Sequence, residues 1–192
     1  MWAIRKNSGF TIVELLIVVV VIGILAGIVT VAYTGITKTA QVSAITSELK
    51  AWHKLFEVYK AANGSYPQPA AANPTTSGGP GANALNVYCL GTGFPTYSGS
   101  PYCYATTNPP YQAAESTGAY LISQLSTIGT LPTNSTKYTQ VNVIGPFLRY
   151  YSTSDVRLYS LYPAYTTCPS GMIGGTGTDP NRHYCYIALN YN

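Results

Sequence analysis

With 192 residues the chain has room for at most one sizeable domain beyond a membrane segment. Charged residues supply only 8% of it, against about a quarter in an ordinary soluble protein. Half of the formal charge of +4 comes from Arg5 and Lys6, which excludes a nucleic-acid protein built on bulk charge.

The chain opens on a short polar leader carrying Arg5 and Lys6. It then reads Lys6-Asn7-Ser8-Gly9-Phe10-Thr11-Ile12-Val13-Glu14 and passes into an apolar run over 15–29. A small residue meets a bulky apolar one at Gly9-Phe10, and Glu14 is the only charge between Phe10 and Tyr33. A span of about 24 residues of this kind crosses the hydrocarbon core as a helix. An acid at the centre of such a helix costs about 2.5 to 3.5 kcal/mol and is usually there for a partner. With Arg5 and Lys6 ahead of the span, the positive-inside rule keeps the N-terminus in the cytoplasm and sends everything after Tyr33 outside.

Leader, Gly-Phe junction, Glu14 and unbroken apolar run, together and in this order, resemble the amino terminus of a type IV prepilin, the precursor of a pilus or pseudopilus subunit. The resemblance is tight over residues 1–35. It implies that a dedicated membrane peptidase cuts between Gly9 and Phe10 and N-methylates Phe10. It also implies that Glu14 pairs with the N-terminal amine of Phe10 on a neighbouring subunit, so that the helix drives assembly into a helical filament of identical chains. The implied partners are that peptidase, the pilus assembly platform in the membrane, membrane lipid before assembly, and further copies of the chain. Members of the family often carry a proline near the position of Val31, which this chain lacks.

Two plainer readings of the segment compete. A secretory signal peptide needs a shorter apolar region followed by a small-x-small cleavage site, and here Ala26-Gly27 lies inside the run. An ordinary single-span anchor fits the length but leaves the placement of Gly9 and Glu14 unexplained. Gly23 and Gly27 form a small-xxx-small pair that lets helices approach closely, although glycine is common in membrane helices anyway.

Past Tyr33 the helix is expected to continue. Val42, Ile45, Leu49, Trp52, Phe56 and Tyr59 recur at spacings of three and four, one apolar stripe along a helix over 37–62. Gln41, Ser47, Glu48, Lys50, Lys54 and Glu57 occupy the other faces. Asn63-Gly64 supplies a stop and Pro67 forbids continuation. Helical throughout, residues 10–63 measure about 80 Å at 1.5 Å per residue, a length that suits a filament rather than a globular core. A coiled coil is the alternative for the stripe. Its three aromatics suit packing on a sheet of the same chain better.

Residues 68–84 are nearly all Pro, Ala, Asn, Thr, Ser and Gly and read as a loop. Short apolar runs at 85–90 and 102–106 suggest strands, and Tyr120, Leu121, Leu125 and Ile128 suggest a short helix over 113–128 that Gly118 opposes. Runs at 141–151 and 156–162 read as strands around the turn Ser152-Thr153-Ser154-Asp155. The last run alternates most clearly. Cys185, Ile187, Leu189 and Tyr191 fall on one face and Tyr184, Tyr186, Ala188 and Asn190 on the other, so a final strand lays its apolar face on the long helix.

The fold class expected is therefore α+β, a long N-terminal helix packed on a C-terminal antiparallel sheet, pilin-like in arrangement. The expected divisions are a leader at 1–9, the long helix at 10–63 with its transmembrane and polymerisation part at 10–33, and a disulfide-stabilised head at 64–192. The head would lie in an oxidising compartment, where disulfides are the default. Four cysteines allow three connectivities. Cys89–Cys103 and Cys168–Cys185 are preferred because each closes a short loop rich in Gly, Pro and Thr.

No catalytic constellation stands out, so no enzyme and no cofactor are expected. The histidines are His53 and His183, and the acids of the head are Glu115, Asp155 and Asp179. His183 with Cys168 and Cys185 makes a conceivable metal cluster, but it lacks a fourth ligand and a disulfide competes for both thiols. Asp179, in Gly174-Gly175-Thr176-Gly177-Thr178-Asp179, is one acid where calcium loops use several. Eighteen tyrosines against four phenylalanines suggest strand packing with a surplus for an adhesive surface. Arg149-Tyr150, Arg157-Leu158-Tyr159 and Arg182-His183-Tyr184 interleave bases and aromatics as single-stranded DNA binders do, but positive charges are too few to make nucleic acid an expected partner.

The leading expectation is thus a structural subunit of a type IV pilus, inserted in the inner membrane as a precursor and then exported into an extracellular filament for adhesion or twitching motility. The alternative is a minor pilin or pseudopilin of a type II secretion or DNA-uptake system. A third reading is a membrane-anchored binding module that never polymerises.

Overall fold

The computed structural model describes residues 9–68, 87–94, 96–97, 100–105, 112–133, 145–151, 155–163, 167–175 and 182–190. The leader up to Ser8, most of the expected loop at 68–84, the turn at 152–154, Asp179 and Tyr191 lie outside these residues. The chain divides into two compact units between Ala40 and Gln41. Helix α1, Ile12–Asn63, supplies residues 12–40 to the first and residues 41–63 to the second. It stops where glycine permits it to stop. Gly64 takes φ +79°, a left-handed conformation that costs other residues energy, and its N–H bonds to the Lys60 carbonyl at 2.8 Å.

In the first unit α1 is apolar on every side over residues 15–29, and its side chains there are exposed. Its threonines turn back on the helix. Thr30 Oγ1 donates to the Gly27 carbonyl at 2.9 Å, and Thr37 and Thr39 reach the Tyr33 and Gly35 carbonyls, each at 3.1 Å. A hydroxyl satisfied in this way can sit in apolar surroundings.

The second unit is layered. Among its described residues, strands β1 (Val87–Cys89), β5 (Phe147–Tyr150), β6 (Asp155–Pro163), β7 (Ile173–Gly175) and β8 (Arg182–Asn190) form one antiparallel sheet in the order β1-β5-β6-β8-β7. The ladder between β6 and β8 runs from Asp155 opposite Asn190 to Pro163 opposite Arg182. Strands β2 (Thr96–Tyr97), β3 (Ser100–Ala105) and β4 (Gln112–Ala114) form a smaller antiparallel sheet. A short helix α2, Ala119–Leu125, follows a 3-10 turn at Glu115–Gly118.

Both faces of the larger sheet are covered. Leu148, Val156, Leu158 and Leu189 pack with Leu49, Trp52, Leu55 and Phe56 of α1 and with Leu121 and Leu125 of α2. Beside them Ile45 packs with Tyr162 and Cys185. Each large apolar side chain fully buried in this way contributes about 1.5 to 3 kcal/mol. The opposite face carries Val87, Cys89, Phe147, Tyr159 and Leu161, covered by Phe94, Cys103 and Ala113. The structure joins Cys89 to Cys103 and Cys168 to Cys185, with Cα separations of 5.4 and 5.6 Å. Loops of these sizes, once closed, typically contribute about 3 kcal/mol by restricting the unfolded chain.

Two expectations need correction. The helix over 113–128 is helical only from Ala119 to Leu125, because Gln112–Ala114 pairs with β3 instead. Gly118 marks the change. A Cβ there would lie 1.6 Å from the Cys89 carbonyl oxygen, so only glycine fits against β1. Glu48, assigned to the polar faces of α1, is buried. It stands three residues after Ile45 and four before Trp52, within the stripe rather than beside it.

Several tyrosines are structural. Tyr66, Tyr88, Tyr159 and Tyr162 are buried, and Tyr66 donates to Glu57 Oε1. Tyr162 shares a hydrogen bond with Thr46 at 3.3 Å, Tyr59 donates to Gln124 at 3.2 Å, and Tyr150 reaches the Pro67 carbonyl at 3.3 Å. Burial raises the phenol pKa of Tyr66, Tyr88, Tyr104, Tyr159 and Tyr162 above the usual value of 10.0. A phenol whose pKa is higher folded than unfolded stabilises the fold below its unfolded pKa and loses that contribution as pH rises. Stability should therefore hold through neutral pH and fall above about pH 10. Ultraviolet titration of tyrosinate should show these groups ionising together with the loss of near-ultraviolet circular dichroism. Ionisation of all of them with that signal intact would contradict the burial.

Candidate functional site at the head of the long helix

Gly9, Phe10 and Thr11 precede the first helical residue, Ile12. The Gly9-Phe10 bond is thus outside the helix and exposed, with Phe10 at 83% of its maximal accessibility. A peptidase needs such a bond, because a helical one is committed to its own turn. Immediately behind it the chain makes a capping box. Thr11 N–H and Thr11 Oγ1 both donate to Glu14 Oε2 at 2.8 Å, and Glu14 N–H donates to Thr11 Oγ1 at 3.3 Å. Backbone donors orphaned at the helix start are satisfied reciprocally, and a carboxylate in the first turn suits the positive end of the helix dipole.

Glu14 therefore has a local role beside the charge that draws attention in the sequence. Thr11 belongs to the site as well, a residue that no charge singles out. The signal was present, since Thr-x-x-Glu ahead of an apolar run is a capping pattern. Beyond Glu14 the side chains of residues 15–30 are exposed. The helix is long and apolar enough to cross a membrane. At Gly23 and Gly27 an added Cβ would meet nothing within 4 Å.

The remaining candidates lie in the second unit. The sulfurs of Cys168 and Cys185 and a ring nitrogen of His183 lie within 4.8 Å of one another, yet the two sulfurs are bonded together and offer no thiolate. Asp155 is taken by Arg157 through two hydrogen bonds of 2.8 Å. His53 lies 3.5 Å from Glu57. Of the interleaved pairs, Arg157 and Tyr159 come together on one face of β6, the guanidinium reaching the Tyr159 hydroxyl at 3.5 Å, whereas Arg149 and Tyr150 are strand neighbours and face opposite ways. Tyr150 turns toward the helix side, while Arg149 lies over Tyr151, its ring centroid 4.5 Å from the guanidinium carbon.

Comparison with known proteins places the first of these sites in context. A family model described as the prokaryotic N-terminal methylation motif matches residues 4–30. The chain is similar to type II secretion system core protein G of Pseudomonas aeruginosa, 36% identical over 63 residues, which are 33% of this chain and 44% of that one. It is 35% identical over 63 residues to the proteins of the same name from Aeromonas hydrophila and Vibrio cholerae, covering 44% and 43% of them. The chain thus spans less than half the length of the curated relatives it matches. No solved structure matches it significantly. At the head of α1 this chain carries the prokaryotic N-terminal methylation motif, as its resemblance to a type IV prepilin implies.

Proposed function

We propose that the chain is the precursor of a pilin-like filament subunit, held in the membrane by α1 with its N-terminus in the cytoplasm. A prepilin peptidase cuts between Gly9 and Phe10 and methylates the new amine, and the mature chains assemble through α1. One observation carries the reading: the methylation motif matched over 4–30 runs into a helix whose apolar side chains over 15–30 are exposed. Such a surface needs lipid before assembly and other helices after it. Within that class a pseudopilin of a secretion system is favoured over the surface pilus that the sequence alone suggested, because the similar proteins bear a secretion name.

The N-terminal mass of the mature protein tests the proposal. The expected species begins at N-methylated Phe10. A mature chain that keeps Met1 to Gly9 would sink it and leave the membrane-anchored binding module. Abundance then separates the two filaments, since a pilus subunit dominates sheared surface filaments and a pseudopilin is scarce there while its loss stops secretion.

A further inference from the structure

On the sheet face turned away from α1, Arg149 and Arg157 stand directly opposite each other in the β5–β6 register. Like charges in that relation destabilise a sheet unless something offsets them. Tyr151 partly does so, with the guanidinium carbons of Arg149 and Arg157 at 4.5 and 4.3 Å from its ring centroid. Asp155 neutralises Arg157 in a two-point pair, and Arg157 also reaches the Tyr159 hydroxyl at 3.5 Å. Arg149 has no carboxylate partner among the described residues. Its Nε is buried and makes no hydrogen bond there, although a guanidinium carries five donors and a buried one left unused is costly. Stacking on Tyr151 occupies the face of the ion and leaves its in-plane fork unspent. Among the described residues, two arginines against one aspartate leave a single positive charge at the cluster.

We infer that Arg149, held on Tyr151 beside Arg157, is a binding site for a carboxylate monoanion, which its planar fork takes edge-on. The residual charge of one matches a monocarboxylate rather than a phosphate dianion, and the two-oxygen edge of a carboxylate matches the fork geometry. The site stands independently of the filament reading.

The test uses the full chain in detergent micelles, with the arginine Nε–H signals followed by nuclear magnetic resonance. Sodium acetate, sodium chloride and inorganic phosphate are titrated at equal ionic strength. Acetate should shift the Arg149 signal saturably and chloride should not. Arg149→Lys keeps the charge but loses the fork, and should weaken acetate binding, read at Arg157, by about tenfold or more. No saturable acetate response in the native chain would overturn the proposal, a comparison that needs no variant to fold. Undiminished binding by Arg149→Lys would overturn it too, and tighter binding of phosphate than acetate would overturn the class of ligand.

Discussion

Glu14→Ala is expected to abolish filaments while the chain still enters the membrane and is still cut between Gly9 and Phe10. Membrane insertion should not suffer, because removing an acid from an apolar helix removes a cost of up to about 3.5 kcal/mol. The cut should survive because the scissile bond lies ahead of the helix and does not use the carboxylate. Assembly is different. On the proposed reading each incoming subunit buries the Glu14 carboxylate against the amine of Phe10 on a neighbour. Deleting one partner of a buried pair costs about 3 to 5 kcal/mol, more than a hundredfold in each addition step. The loss of the capping box adds a smaller term, on the order of 1 kcal/mol. Glu14→Gln separates the two effects, since glutamine can still close the box with Thr11 but carries no charge. Both variants should give processed protein in the membrane fraction and no filaments by electron microscopy. Normal filaments from Glu14→Gln would assign the residue to capping alone.

The site and the long helix were the parts most legible in the sequence, because both are written in local spacing. The stripe from Ile45 to Phe56 is buried as its intervals of three and four require, and Asn63-Gly64 ends the helix where glycine can take a positive φ. Apart from Glu48, whose place in the stripe is a matter of spacing, what failed was set by pairing between segments. Gln112–Ala114 has the composition of a helix start, but β3 lies alongside and takes it into a sheet. The return of β8 between β6 and β7 is likewise a non-local choice that alternation alone does not reveal. The tyrosines divide as their dual chemistry allows: Tyr162 buries its ring and meets Thr46 with its hydroxyl, while Tyr33, Tyr120 and Tyr151 are exposed. Glu14 stands out in the sequence by its charge, whereas its capping partner three residues earlier is an uncharged threonine.

Trp52→Ala should be among the most destabilising single substitutions in the second unit. Trp52 is fully buried at the centre of the helix–sheet core, beside Leu49 and Phe56 of its own helix and the sheet residues Leu148 and Leu158. Replacing a buried tryptophan or phenylalanine with alanine costs about 3 to 5 kcal/mol, part lost transfer energy and part cavity. For a chain of this size that corresponds to a fall of roughly 10 °C or more in melting temperature. Trp52→Phe should behave quite differently. The indole Nε1 is buried without a hydrogen-bond partner among the described residues. An unmet buried donor costs about 1 to 3 kcal/mol, so phenylalanine removes that penalty while sacrificing part of the ring volume. The two terms oppose each other, and the net change should be within about 1.5 kcal/mol of zero, in the range of well-tolerated core swaps. Thermal unfolding of the full chain in detergent, followed by circular dichroism, measures both. A Trp52→Phe variant as unstable as Trp52→Ala would show that the indole nitrogen is satisfied in solution and that the core depends on it.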